Sequence, residues 1–265
     1  MIIDRPITST DIMIDCDKLG VRPGMNLLVH SSMKSIGGWI VGGAESVILA
    51  LENLLGEEGT LIMPTQSGNL TDPETWMNPP ADPRWWGLIR ESMPPYDPDF
   101  TVTRGMGIIP ETFRKQSGVY RSAHPHVSFA ARGRLATYIT ESHSLDYSLG
   151  ESSPLARMAE VDTYVLLLGT DHSNNTSFHL AEYRSPYRGK KEIESKAPIQ
   201  GKHNTEWVSF QDINFTSDDF HIVGADFERN CSELYTRGNV GMASCLLSRQ
   251  NDLVNYAISW FEHHR

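Results

Sequence analysis

Cysteine is scarce in this 265-residue chain: Cys16, Cys231 and Cys245 are an odd number with no CxxC spacing. That excludes a disulfide-stapled scaffold and a CxxC zinc module, and the thiols read as buried or free ones in a reducing cytoplasm. Long apolar runs are missing as well. No window of about 18 apolar residues exists, so no helical membrane span is expected. Met1 to Leu19 carries Asp4, Arg5, Asp11, Asp15, Asp17 and Lys18, and so lacks the basic and apolar regions of a secretory signal. Basic residues are outnumbered, 23 Lys plus Arg against 33 Asp plus Glu for a net charge of −10, which argues against a nucleic-acid binder. Charged residues make up only 21% and the 21 glycines and 15 prolines have no fixed period, which excludes disorder, coiled coil and collagen.

What is present is an α/β rhythm. Thr10 is positioned to cap a helix ending at Leu19, Asn26 to His30 reads as a buried strand, and a polar loop runs from Ser31 to Gly43. Ala44 to Leu55 is an amphipathic helix stopped by Gly56, and Thr60 to Pro64 is the next strand. Strand, loop, helix and strand in this span make a parallel crossover, which puts the Ser31 loop at the carboxyl edge of a sheet. Further on, the pattern predicts helices over Ile108–Gln116, Leu135–Ser142, Thr176–Tyr183, Ser217–Phe227 and Asp252–His263. It predicts extended segments over Val127–Arg132, Tyr164–Leu168 and Val240–Leu247, and a polar hairpin over Lys190–Val208. The expected architecture is one α/β domain over residues 1–265, with three layers (α/β/α) around a mixed central sheet and a long inserted loop.

That loop, residues 66–104, holds seven prolines, Trp76, Trp85 and Trp86, and six acids including Asp72, Asp97 and Asp99. Three tryptophans seek burial, and long ordered loops of this kind are commonly lids or binding loops. The loop therefore reads as a substrate-facing excursion.

Three groups of residues are candidates for chemistry. Ser31, Ser32 and Ser35 leave a strand end, where hydroxyls and free amides can converge on an anion, although no Walker sequence is present and the plainer role is that of turn and cap residues. His179 and Glu182 stand at i and i+3 on one helix face, the spacing by which a carboxylate orients an imidazole for general-base work. His124 and His126, with Asp171, His172 and His179, invite a metal reading, but no HExxH is present and His124-Pro125 equally suits a rigid turn.

These runs fall into a recognisable order: Val29-His-Ser-Ser32, Val41-Gly-Gly-Ala44, Gly59-Thr-Leu-Ile-Met-Pro-Thr65, Arg104-Gly-Met-Gly-Ile108, Ser122-Ala-His-Pro125, Leu149-Gly-Glu-Ser-Ser-Pro154, Leu166-Leu-Leu-Gly169, Thr176-Ser-Phe-His-Leu-Ala-Glu182 and Arg237-Gly-Asn-Val-Gly241. With them the chain resembles the aminoglycoside 3-N-acetyltransferase family, including its bacillus-type relatives, over nearly its whole length. The resemblance implies acetyl transfer from acetyl-coenzyme A to the 3-amino group of a 2-deoxystreptamine antibiotic, with no metal. It implies that Ser31, Ser32, Lys34, Ser35, Met106 and Gly107 hold coenzyme A and that His179 is the base. Glu182, Asp72 and Asp212 are the candidates for its partner carboxylate.

Direct transfer in a ternary complex fits these residues, with Thr176 available to stabilise the oxyanion. The expected partner is a small cationic amine or amino sugar, met by Asp72, Trp76, Asp97 and Asp99. The Ser31–Gly38 loop carries Lys34 and no acid, so charge would steer the two substrates to different edges. The alternatives are an N-acyltransferase for another small amine, a zinc amidohydrolase built on His124, His126, His172 and His179, and a coenzyme A-binding protein without catalysis.

Overall fold

The computed structural model describes residues 5–202 and 204–265. The first four residues of the amino-terminal segment, and residue 203 in the expected hairpin, lie outside that description. Helix α1 (Ser9–Leu19) is capped by Thr8 rather than by Thr10. The Thr8 hydroxyl accepts from the Asp11 amide while the Asp11 carboxylate accepts from the Thr8 amide, a reciprocal box that Thr10, already inside the helix, cannot make. Strand β1 (Asn26–Ser31), the single turn α2 (Met33–Ile36), helix α3 (Gly43–Leu55) and strand β2 (Thr60–Pro64) form the expected crossover, with Asn26 opposite Thr60 in parallel register.

Residues 66–104 are irregular apart from short 3₁₀ turns and helix α4 (Trp86–Ser92). Then follow α5 (Ile108–Phe113), β3 (Tyr120–Arg121), β4 (Phe129–Gly133), α6 (Ala136–Thr140), α7 (Pro154–Glu160), β5 (Tyr164–Leu168), α8 (Ser177–Arg184) and the hairpin β6 (Glu192–Gln200) and β7 (Thr205–Ile213). The chain continues through α9 (Phe220–Asn230), β8 (Tyr235–Val240), β9 (Ala243–Arg249) and α10 (Gln250–His264). The single strand expected over Val240–Leu247 is thus two antiparallel ones. The chain reverses at Gly241, whose φ of 57° lies in the left-handed region that glycine enters without strain.

Seven strands lie in the order β3-β4-β2-β1-β5-β9-β8. β1 is parallel to both β2 and β5, and every other pairing is antiparallel, so the central sheet is mixed. Alternation along the strands supplies both faces. Leu27, Val29, Leu61, Met63, Leu166 and Leu168 pack with Ile12, Val47, Leu51 and Phe113 of α1, α3 and α5. Leu28, Ile62, Val165 and Leu167 pack on the opposite face with residues of α6 to α10, including Phe178, Phe227 and Phe261. Two helical layers therefore enclose the sheet, which is the expected α/β/α arrangement.

The β6–β7 hairpin stands apart as its own two-stranded sheet. It is tied to the 66–104 excursion at two points: the Tyr96 amide donates to the Pro198 carbonyl at 2.9 Å, and the Trp207 indole donates to the Arg90 carbonyl at 2.9 Å. The three tryptophans of the excursion are not buried as expected. Trp85 is 57% exposed and Trp76 and Trp86 are half-buried, with their indole N–H groups donating to Thr71 and to the Ala81 carbonyl. Among the described residues no helix is long and apolar enough to cross a membrane.

Candidate active site

In an open α/β sheet, ligands bind beyond the carboxyl ends of the strands where the chain order reverses. Here β1 is that point: β2 lies on one side of it and β5 on the other. Ser31 and Leu168 are register partners at the two strand ends, and the Ser32 amide donates to the Leu168 carbonyl at 2.9 Å. The topology thus brings the serine loop beside the loop that leads from β5 into α8.

The serines divide their work. Ser32 caps α2: its hydroxyl accepts from the Ser35 hydroxyl at 2.8 Å and from the Ser35 amide at 3.3 Å. The Ser31 hydroxyl is buried and has no hydrogen-bond partner among the described residues. An orphaned buried donor at a strand end suits a ligand that brings its own acceptor. Lys34 is exposed on α2, and Gly105 and Gly107 flank Met106 with φ of 75° and 85° and open space where a side chain would stand. Gly107 stands at the N-cap of α5, which has no side-chain cap. These residues fit an anionic, phosphate-bearing group such as coenzyme A.

Helix α8 is buried from Ser177 through Glu182. Glu182 is completely buried, which is costly for a carboxylate unless its oxygens are satisfied. One oxygen faces His179 Nδ1 at 2.5 Å. The other accepts from the Thr216 amide at 3.0 Å and from Arg265 Nη1 at 2.6 Å. The Phe215 and Phe220 rings lie 4.9 and 4.8 Å from the His179 ring. With Nδ1 committed to Glu182, Nε2 is the nitrogen left for a substrate proton. Thr176, at the start of α8, has its hydroxyl 3.4 Å from His30 Nε2. The cap of α8 is made instead by Asn175, whose side chain accepts from the Ser177 amide.

His30 is fully enclosed at the end of β1, and burial, reinforced by the neighbouring His172 and His179, pushes its pKa down to about 3. It is not among the candidates the sequence offers, since a histidine inside a buried strand carries no periodic signal; its position directly before Ser31 is the one cue. Arg265 was also missed, because nothing local marks a contact across 83 positions.

The other expected acids are engaged elsewhere. Asp72 is buried and paired with Arg90 at 2.6 Å. The Asp97 carboxylate accepts from the amides of Asp99 and Phe100, while Asp99 is held through its backbone, whose carbonyl accepts from Arg114. Asp212 accepts from the hydroxyls of Ser148 and Tyr183 and from its neighbour's amide, while burial raises its pKa. Neither Asp72, Asp97, Asp99 nor Asp212 hydrogen-bonds to His179, so Glu182 is the carboxylate beside the imidazole. Trp76 and Trp85 wall a hollow of about 430 Å³ together with Met77, Pro79 and Arg104. A second cleft of about 830 Å³, next to α8, is lined by Asp146, Tyr147, Glu151, Tyr183, Tyr187 and Glu192 among others. Sequence spacing gave no hint of it, because its walls come from three separate segments.

The histidine turn is structural in its bonding. His124 Nδ1 accepts from the amides of His126 and Val127, which leaves Nε2 as the donor to the Leu145 carbonyl. His126 Nε2 lies 3.2 Å from the Leu70 carbonyl. Burial lowers both, His126 to about 4. Among the described residues no three His, Cys, Asp or Glu side chains gather as metal ligands, which gives the zinc reading no site.

Comparison with known proteins places the whole chain in one family. The sequence model of the aminoglycoside 3-N-acetyltransferase family matches residues 28–262. The SPbeta prophage-derived aminoglycoside N(3')-acetyltransferase-like protein YokD of Bacillus subtilis is 45% identical over 97% of this chain and 93% of its own. Its crystal structure superposes with a TM-score of 0.94 over 98% of this chain and 95% of that one. Aminoglycoside N(3)-acetyltransferase VII of Streptomyces paromomycinus is 33% identical over 98% and 93%. Two solved structures with TM-scores of 0.86, AAC-IIIb binary with CoASH (27% identical, 97% of each chain) and AAC-VIa bound to Sisomicin (25% identical, 97% and 98%), show what those proteins bind. Fold and relatives thus define an α/β enzyme of the acyl-transferring class. The chain belongs to the aminoglycoside 3-N-acetyltransferase family.

Proposed function

We propose that this protein transfers the acetyl group of acetyl-coenzyme A to the 3-amino group of a 2-deoxystreptamine aminoglycoside, directly and within a ternary complex. The observation that carries the reading is the 2.5 Å contact between His179 and the fully buried Glu182, set at the switch point beside the serine loop. Coenzyme A lies along Ser31, Ser32, Lys34 and Ser35 and the Met106-Gly107 turn. The relative solved with CoASH supports the donor, and the one solved with sisomicin supports the acceptor class.

His179 Nε2 takes a proton from the acceptor nitrogen as that nitrogen attacks the thioester carbonyl, and Glu182 stabilises the resulting imidazolium. The N–C bond forms, the C–S bond breaks, and the proton held by His179 leaves on the coenzyme A sulfur. A thiolate with an intrinsic pKa of about 8.5 is a good leaving group and needs little acid assistance. Thr176 donates to the carbonyl oxygen as charge develops on it, and His30 orients the hydroxyl. The acceptor cation approaches between the acidic, aromatic surfaces: the excursion with Asp72, Trp76, Asp97 and Asp99, and the cleft with Asp146, Glu151 and Glu192.

Thiol release in the presence of a panel of aminoglycosides and simpler amines, with product regiochemistry by NMR, tests the activity. Acetylation at N3 with intersecting initial-rate patterns supports the reading. Parallel patterns, or a trapped acetyl-enzyme, refute direct transfer, and turnover confined to other amines refutes the acceptor.

A further inference from the structure

We propose that Arg265 is a positioning residue for this reaction, holding Glu182 so that His179 presents Nε2 to the acceptor; the proposal rests on the reading of His179 as the base. Arg265 Nη1 donates to Glu182 Oε1 at 2.6 Å, while its Nε and Nη2 grip the two oxygens of Asp219 at 2.8 and 2.5 Å. The guanidinium plane rests on Phe261, 3.9 Å from the ring centroid, with the Tyr187 ring at 5.0 Å. Its side chain is only 10% exposed and that of Glu182 not at all. Four groups therefore alternate along one line of contacts: imidazole, carboxylate, guanidinium, carboxylate.

A carboxylate pinned at one oxygen only can turn about its terminal torsion, which is broad. Pinned at both, by His179 on one side and by Arg265 with the Thr216 amide on the other, it keeps the imidazole plane fixed. Asp219 in turn holds the far edge of the guanidinium.

The test uses the full chain with Arg265→Gln and Arg265→Lys, compared with His179→Gln. For Arg265→Gln, kcat is expected to fall by about tenfold or more, while calorimetric coenzyme A affinity stays within about twofold. KM for the acceptor is expected to stay within about twofold, so that the loss falls on kcat. Arg265→Lys restores part of the rate, since an ammonium supplies the charge without the fork. An unmoved kcat in Arg265→Gln, with His179→Gln inactive, overturns the proposal and leaves the base intact. A His179→Gln variant as active as the parent removes the base reading, and this proposal with it. If Arg265→Gln does not fold, Asp219→Asn decides: it loosens the far edge of the guanidinium without touching Glu182, and an unmoved kcat there overturns the proposal.

Discussion

Gly169, at the end of β5, lies so close to Ser35 that a Cβ built on it would stand 2.6 Å from the serine Cβ and 2.9 Å from that of Ala243. Its φ of 70° is itself in the region that side chains avoid. Close approach and backbone conformation together demand glycine where the serine loop meets the loop before α8. Gly169→Ala is expected to destabilise the protein by about 2 kcal/mol or more and to weaken coenzyme A binding by displacing Ser35. Chemical denaturation and calorimetry on the same sample check both effects.

His179→Ala is expected to lower the acetylation rate by about 10²-fold or more, with coenzyme A affinity nearly unchanged. Glu182→Gln should lose rate too, because the amide keeps the shape but cannot stabilise an imidazolium and faces Arg265 without charge. Steady-state kinetics beside coenzyme A titration separate these losses from misfolding.

Replacing Ser32 and Ser35 together by Ala removes the cap of α2 and its hydroxyl partner. The cap is worth about 1 kcal/mol, and the coenzyme A dissociation constant should rise severalfold. Ser31→Ala leaves the cap intact and removes only the orphaned hydroxyl. It should therefore weaken coenzyme A binding with no loss of melting temperature, and equal affinity in calorimetry would count against that group as a contact.

Acid should unfold the protein early. Burial depresses His30 to about 3 and His126, His143 and His172 to about 4, whereas in the unfolded chain each titrates near 6.5. Below pH 6.5 the unfolded chain binds protons that the native state excludes, so stability is intact above that pH and is lost as pH falls toward 4. The slope is up to about 1.4 kcal/mol per pH unit for each histidine. Urea unfolding at pH 7.5, 6 and 5 should show the midpoint dropping steadily, and a midpoint independent of pH would refute the linkage.

The strands β2 and β5 were legible to the residue because short, wholly apolar runs between glycines and turns leave little choice. The strand expected over Val240–Leu247 is mostly β9, run through the two-residue Gly241-Met242 turn into the end of β8, while Tyr235–Asn239 of β8, half polar and holding Gly238, has no strand signal. Helix α7 went unread although Ser153 caps it and Pro154 opens it, since its seven residues, with only Arg157 and Glu160 polar, are too few to establish a period. At the site, His179 and Glu182 were visible because they are neighbours on one helix turn. The acids of the excursion misled in part: composition shows how many carboxylates a segment has, but not that Asp72 is consumed by Arg90. Arg265 and Thr216 reach Glu182 only through the folded chain, and no spacing rule announces them.

The bonds from Tyr96 to Pro198 and from Trp207 to Arg90 give the aromatic excursion and the β6–β7 hairpin a common fate. Neither segment can be swapped, lengthened or swung independently of the other. They are bonded across 117 positions of sequence at Trp207 and Arg90, so a chimera that exchanges one without its mate inherits two torn seams.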